Sequence, residues 1–328
     1  MSIFKTLTAR IQVAKTPMRI VFPEGDDLRI LAAVAKLAQE KLIQPIVIVN
    51  PKAVMTLATT NQLDLTGVKL LDSEHFDQTE AMFAQYVAAS KKPLSPDEMQ
   101  ANMRQANYFG TLLVKMGLAD GMVSGASHTT ASTVLPALKL IHPAAGMHRV
   151  SGAFLMEKGD RRLVFADCAI NIDPDSETLS EIAYQSVLTA KLAEISPRIA
   201  FLSFSTKGSA KGEMIDKVQA ATKLFQQSHP ELPADGELQF DAAFVPEVGG
   251  KKAPGSAVAG HANVLIFPEL QSGNIGYKLA QRLGGYTAIG PILQGLDAPV
   301  NDLSRGCSTQ DVYEMAILTA AQALDRQA

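Results

Sequence analysis

A mostly parallel α/β architecture in two domains is predicted by three observations. Short apolar runs alternate with helix-length segments from one end of the chain to the other. The length, 328 residues, is more than one core comfortably fills and suits two domains. One connection, Lys158-Gly-Asp-Arg161, joins two candidate strands too closely for a helical crossover, so a hairpin interrupts the parallel pattern there. His142-Pro-Ala-Ala-Gly-Met147, just before that change, reads as a linker and puts the domain boundary near residue 150.

Taken in order, the apolar runs predict strands at 19–22, 45–49, 68–71, 121–124, 149–156, 162–166, 199–204, 238–245, 263–267 and 286–290. Between them, apolar residues at helical spacing predict helices at 28–39, 132–141, 179–194, 211–227, 275–283 and 309–324. The first sixteen residues carry Lys5, Arg10 and Lys15 and no acid, as a transit peptide does. Ile3, Phe4, Leu7 and Ile11 also share one helical face, and a packed first helix is the preferred reading.

Composition narrows the function classes. A hydrophobic share of 47% with 19% charged residues is that of an ordinary globular protein. A net charge of -3 supplies no basic footprint for nucleic acid. The two cysteines, Cys168 and Cys307, lie far apart and read as free thiols in a reducing, cytoplasmic setting. No apolar stretch reaches the ~18 residues that would span a bilayer, so no membrane partner is expected. G-x-G occurs nowhere, and Gly249-Gly-Lys-Lys-Ala-Pro-Gly-Ser256 lacks the Gly-Lys-Ser/Thr ending of a triphosphate loop. The histidines show no metal-ligand spacing, and no metal is assigned. A cluster of Asp297, Asp302 and Asp311 around a divalent ion is the one metal alternative.

The densest chemistry lies in Asn301-Asp-Leu-Ser-Arg-Gly-Cys-Ser-Thr-Gln-Asp311, a turn that runs into a strongly apolar helix. Ser308 followed three residues later by Asp311 reads as an N-cap with its acid, so the helix should start at Thr309. Ser304 and Arg305 would then sit at a positive helix end, which attracts anions. The same spacing also fits a well-capped helix with a surface arginine. A second candidate is Ser124-Gly125 with Ser127, Thr129 and Thr130, at a predicted strand-to-helix turn. Such turns offer N–H groups and hydroxyls to a phosphate, and the same residues serve equally as helix caps.

The string Pro299-Val-Asn-Asp-Leu-Ser-Arg-Gly-Cys-Ser308 resembles the C-terminal signature of the phosphate acetyltransferase (phosphotransacetylase) family. Further blocks resemble the family in the expected order: Phe22-Pro-Glu-Gly25, Ala119-Asp-Gly-Met-Val-Ser-Gly-Ala-Ser-His-Thr-Thr130, Leu163-Val-Phe-Ala-Asp167, Phe204-Ser-Thr-Lys-Gly-Ser-Ala-Lys211, Asp235-Gly-Glu-Leu-Gln-Phe-Asp-Ala-Ala243, Lys252-Ala-Pro-Gly-Ser256 and Gly273-Asn-Ile-Gly-Tyr-Lys-Leu-Ala-Gln-Arg282. The resemblance implies two α/β domains with a cleft between them, in the layout of isocitrate and isopropylmalate dehydrogenases. One domain would comprise 1–147 plus 297–328 and carry the catalytic turn; the other would comprise 148–296. It implies reversible acetyl transfer between acetyl phosphate and coenzyme A, with release of inorganic phosphate, by a cytoplasmic homodimer. Coenzyme A is a substrate here, and no cofactor is expected.

The reaction needs a base for the coenzyme A thiol, whose free pKa near roughly 8.5 leaves it mostly protonated at neutral pH. By resemblance Asp311 is that base. An acid in the first helical turn is stabilised as the anion, whereas burial works against the anion. Ser304 is assigned to the oxyanion of the tetrahedral intermediate, and Arg305 can fork across carbonyl and phosphate oxygens. Ser124, Gly125, Ser127, Thr129, Thr130 and Asn301 are placed with the substrate by their position in these strings; Tyr277 and Lys278 resemble a family block near the substrate. Cys307 allows a competing acyl-cysteine route or is a packing residue. Two departures stand out. Leu135, in Thr133-Val-Leu-Pro136, and Ala89, in Val87-Ala-Ala-Ser-Lys-Lys92, replace arginines that the family associates with coenzyme A and phosphate. Lys91, Lys92, Arg104 and Arg149 are the candidates to compensate. Butyryl or propionyl transfer, a metal-dependent dehydrogenase and a weakly active regulatory paralogue are the alternatives.

Overall fold

A computed structural model describes residues 2–90 and 95–327, so Lys91 and Lys92 lie outside the described residues. The chain divides into two compact units, 4–146 with 296–328 and 1–3 with 147–295. Relative to the expected boundaries, residues 1–3 and Met147 move to the second unit and Leu296 to the first. Among the described residues there are eleven strands: β1 (Met18–Phe22), β2 (Ile43–Ile48), β3 (Lys69–Leu71), β4 (Gly121–Ser124), β5 (Ser151–Lys158), β6 (Arg161–Ala166), β7 (Ile199–Leu202), β8 (Ala234–Leu238), β9 (Val264–Ile266), β10 (Thr287–Gln294) and β11 (Val300–Asp302).

In the unit 4–146/296–328, five parallel strands run in the order β11-β4-β1-β2-β3. Helices cover both faces of this sheet, which is why β1 and β4 read as continuous apolar runs rather than alternating ones. Successive residues of β4 show the two faces. A Cβ on Gly121 would meet Thr319 of helix Thr309–Gln327, so the missing side chain lets that helix close on the sheet. Met122 points the other way, into a cluster with Phe109, Leu112, Leu140 and Val300. Leu7 and Ile11 of the first helix, Ile3–Gln12, are buried, in keeping with the apolar face read from the sequence.

The second unit holds a six-stranded sheet in the order β10-β5-β6-β9-β7-β8. The hairpin at 158–161 is present, with Lys158 paired to Arg161 between antiparallel β5 and β6. β10 is also antiparallel to β5, and the remaining pairs are parallel. The expected strand at 238–245 is corrected. β8 ends at Leu238, and helices Phe240–Phe244 and Pro246–Lys252 follow. Short apolar runs fit either period, and here Pro246 at a helix start decides the second of them. The helix expected at 132–141 begins two residues earlier, as Thr130–Pro136. Beyond Pro136 it widens into a π-turn over Ala137–Ile141, as a proline that breaks the regular hydrogen-bond ladder allows.

Candidate active site

β4 and β11 are neighbours in register, Ser124 opposite Asp302, so the loops leaving their carboxyl ends start side by side. That pairing brings the Ser124-to-Thr130 string and the Ser304 turn together. Leu303 N–H donates to the Ser124 carbonyl at 2.7 Å and fixes where the two chains part. Gly125 must be glycine: its φ is +109°, and a Cβ would lie 2.4 Å from Asp302 Oδ1 and 2.6 Å from the Leu303 carbonyl oxygen.

Two residues that the sequence reading passed over organise this place. Glu24, at the carboxyl end of β1, is 1% exposed. Its Oε2 accepts from the N–H groups of Gly125 (3.0 Å) and Ala126 (2.9 Å). Its Oε1 accepts from the N–H groups of Ser127 (2.8 Å) and His128 (2.9 Å) and from the Ser127 hydroxyl (3.1 Å), and the His128 ring Nδ1 lies 2.7 Å away. Burial alone would raise this carboxyl, but these donors outweigh it and hold Glu24 below the usual carboxylate range. The four N–H groups that such a turn would offer to a phosphate are thus taken by Glu24 in this structure. Arg29 is the second organiser. One nitrogen, Nη1, donates to the carbonyls of Arg305 and Cys307, both at 2.9 Å, while Nη2 donates to the Ala126 carbonyl at 2.7 Å. A bridge to Asp27 orients the guanidinium. Arg29 thus ties the two loops together. The only sequence signals were the Phe22-Pro-Glu-Gly25 string and the capping position of Asp27.

The catalytic candidates lie on the exposed side of these supports. Ser304 opens a tight turn: its carbonyl accepts from Cys307 N–H at 2.8 Å and its Oγ from Gly306 N–H at 3.2 Å. Arg305 is exposed and makes no ion pair among the described residues. Asp311 and Ser308 form the expected reciprocal cap. Asp311 Oδ2 accepts from Ser308 N–H (2.7 Å) and Oγ (2.9 Å), and Asp311 N–H donates to Ser308 Oγ (3.2 Å). Thr129 caps helix Thr130–Pro136 by accepting from Ser132 N–H, and Thr130 is exposed beside it.

The other expected residues sort differently. Ser124 and Asn301 are fully buried. The Ser124 hydroxyl donates to Asn107 Oδ1 at 3.0 Å, and the Asn301 amide donates to Thr319 Oγ1 at 2.9 Å and Gln322 Oε1 at 2.6 Å. Both hold strand ends in place through these bonds. Tyr277 and Lys278 belong to the second unit, on helix Leu270–Arg282. The Tyr277 ring stacks on Phe154 with centroids 3.9 Å apart, and Lys278 Nζ donates to Asn274 at 2.7 Å.

Cys307 is 7% exposed, and burial pushes its thiol up to about 11 despite the nearby Arg29. Such an environment favours the protonated, less reactive form of the thiol. Asp297, Asp302 and Asp311 do not gather: Asp297 pairs with Arg326, Asp302 is buried and Asp311 caps its helix. No group of three or more metal-ligating side chains occurs among the described residues.

Residues 2–320 match the family model described as phosphate acetyl/butaryl transferase. A phosphate acetyltransferase of Bacillus subtilis strain 168 is 53% identical over 317 residues, 97% of this chain and 98% of that protein. The crystal structure of a phosphotransacetylase from Streptococcus pyogenes matches with a TM-score of 0.95 and 51% identity, covering 98% of both chains. A putative 4-hydroxythreonine-4-phosphate dehydrogenase from Salmonella typhimurium is 12% identical and matches with a TM-score of 0.57 over 94% of this chain and 100% of that one, a likeness of fold alone. These matches, over nearly the whole chain, place it in the phosphate acetyl/butaryl transferase family.

Proposed function

We propose that this chain is a phosphate acetyltransferase that moves an acetyl group reversibly between acetyl phosphate and coenzyme A. The observation that carries the reading is the grouping of Ser304, Arg305 and Asp311 on one exposed turn at the start of a 19-residue helix, in a chain 53% identical to a phosphate acetyltransferase over nearly its whole length. Asp311 takes the proton from the coenzyme A thiol. The thiolate sulfur attacks the acetyl carbonyl carbon, and the carbonyl electron pair moves onto oxygen. The Ser304 hydroxyl donates to that oxyanion, while Arg305 offers its fork to the phosphate oxygens. Collapse of the intermediate re-forms the carbonyl, breaks the carbon–oxygen bond and releases phosphate. Both substrates are bound together, and no step calls for a metal or redox cofactor.

Thr129 and Thr130 keep their place at the phosphate, now through hydroxyls alone, and Ser127 contributes by holding Glu24. The test is thioester formation from acetyl, propionyl and butyryl phosphate with coenzyme A, with and without chelator. Turnover fastest with acetyl phosphate and insensitive to chelator is expected; a chelator-sensitive or acyl-phosphate-independent reaction would overturn the reading. The chain is further proposed to act as a cytoplasmic homodimer. An exposed apolar row, Ile275, Leu279 and Leu283 at four-residue spacing, supports self-association. Sedimentation at micromolar concentration should give twice the 35.0 kDa chain mass.

A further inference from the structure

Asp302 ends β11 with its carboxyl fully buried, and neither oxygen has a hydrogen-bond partner. Thr133 Oγ1, on helix Thr130–Pro136, is buried and equally unpartnered. The hydroxyls of Thr130 and Thr133 and the Leu303 N–H all lie toward the Asp302 carboxyl, although none makes a hydrogen bond of ordinary geometry with it, and the Leu303 N–H is committed to the Ser124 carbonyl. Across Gly125 lies the Glu24 carboxylate, which holds all four N–H donors of the 125–128 loop. Of the charged groups, Glu24 acts on Asp302 and in turn holds His128, while the Asp27–Arg29 pair and Asp311 act on Cys307; no cation pairs with Asp302 among the described residues. Burial, with Glu24 adding to it, raises Asp302 to about 6.

We propose that Asp302 is a positioning residue whose neutral carboxylic acid orients the Thr130 hydroxyl toward the phosphate group of the substrate. One proton arranges the whole group. The Asp302 O–H donates to Thr130 Oγ1, and the other Asp302 oxygen accepts from the Thr133 hydroxyl. All three orphaned atoms are then satisfied. Because Thr130 Oγ1 is already accepting, its own proton turns outward and is available to an anion. An ionised Asp302 does the reverse: it accepts from both hydroxyls, draws the Thr130 proton inward and leaves oxygen lone pairs facing the phosphate. This rests on the reading above that Thr130 meets the phosphate, and it adds what decides whether that hydroxyl can donate.

The experiment compares the acetyl phosphate KM of wild type, Asp302→Asn, Thr130→Val and the double variant between pH 5 and 8.5. Ratios taken at each pH cancel titration of the substrate itself. The Asn amide donates at every pH, so KM(wild type)/KM(Asp302→Asn) should climb by about tenfold or more across the range, the size of a lost hydrogen bond to a charged group. In the Thr130→Val background the same ratio should stay flat. A ratio that is flat in the wild-type background, or climbs equally without Thr130, overturns the proposal. Thr130→Val with an unchanged KM at every pH overturns instead the placement of Thr130 at the phosphate. Should Asp302→Asn fail to fold, Thr130→Val alone still decides: its KM penalty should be large at pH 5 and fade by pH 8.5, and a constant penalty counts against Asp302.

Discussion

Asp311 caps its helix and is the proposed base on the same side chain. Its Oδ2 closes the cap on Ser308, and Oδ1 lies outside that box. The two tasks separate experimentally. Asp311→Asn retains an oxygen for the cap but cannot take a proton, so kcat should fall by about 10²–10⁴ with a modest change in KM. Loss of the cap alone would cost about 1 kcal/mol of stability and leave the rate intact. Near-normal turnover by Asp311→Asn would make the residue a cap and nothing more. Ser304→Ala should lower kcat by roughly 10²–10³ if its hydroxyl meets the oxyanion. Cys307 bears on the order of events. Burial pushes its thiol up to about 11, which disfavours the thiolate that an acyl-cysteine route needs. Initial-rate plots for the two substrates should therefore intersect, and Cys307→Ala should stay within about tenfold of wild type. Parallel lines, or exchange of phosphate into acetyl phosphate without coenzyme A, would restore the acyl-cysteine route.

At the scale of elements, the two positions where the resemblance led to an expected arginine separate cleanly. Leu135 is 50% exposed on helix Thr130–Pro136, whereas Ala89 is 8% exposed with its carbonyl accepting from His142 Nε2. Leu135→Arg should therefore fold normally, and if that position serves the coenzyme it should lower the coenzyme A KM by about 10- to 100-fold, the worth of one well-made charge-assisted contact. An unchanged KM in a folded Leu135→Arg protein would remove the position from coenzyme binding. Ala89→Arg should destabilise by several kcal/mol, which thermal unfolding would register, because a long cation has no room in that core. The same elements show what was legible in the sequence. The cap at Ser308 and the hairpin at 158–161 were readable because capping and tight turns depend on local residue chemistry. β11 was not: Val300-Asn-Asp302 is two-thirds polar yet fully buried, so an apolar scan passes over the strand that aligns the Ser304 turn with β4. Glu24 and Arg29 stayed hidden for a related reason. The loop groups they hold lie about a hundred residues or more away, and the Phe22-Pro-Glu-Gly25 string and the Asp27 cap beside them do not announce those partners.

For the whole molecule, those buried carboxylates tie stability to pH from both sides. Glu24 lies below its ordinary range, so its contribution is present above the unfolded carboxylate value and is lost as pH falls through its lowered one. Asp302 behaves oppositely. Its rise from 3.8 to about 6 means that its folded-state advantage is complete below 3.8 and disappears as pH climbs through about 6. Well above that, keeping it ionised in the folded state costs about 3 kcal/mol. From these two groups, stability should therefore be greatest between the lowered Glu24 value and about 6, and fall on either side. Asp302→Asn removes the alkaline limb alone. Its unfolding midpoint should exceed that of wild type by roughly 5–10 °C at pH 8 and converge with it near pH 4. The unit 4–146/296–328 should carry the shift, so near-ultraviolet signals from Tyr86 and Tyr108, both in its core, are a suitable probe. A wild-type protein as stable as Asp302→Asn at pH 8 would mean that the carboxyl finds a cation or donor in solution, and that the strand end leading into the Ser304 turn tolerates its charge.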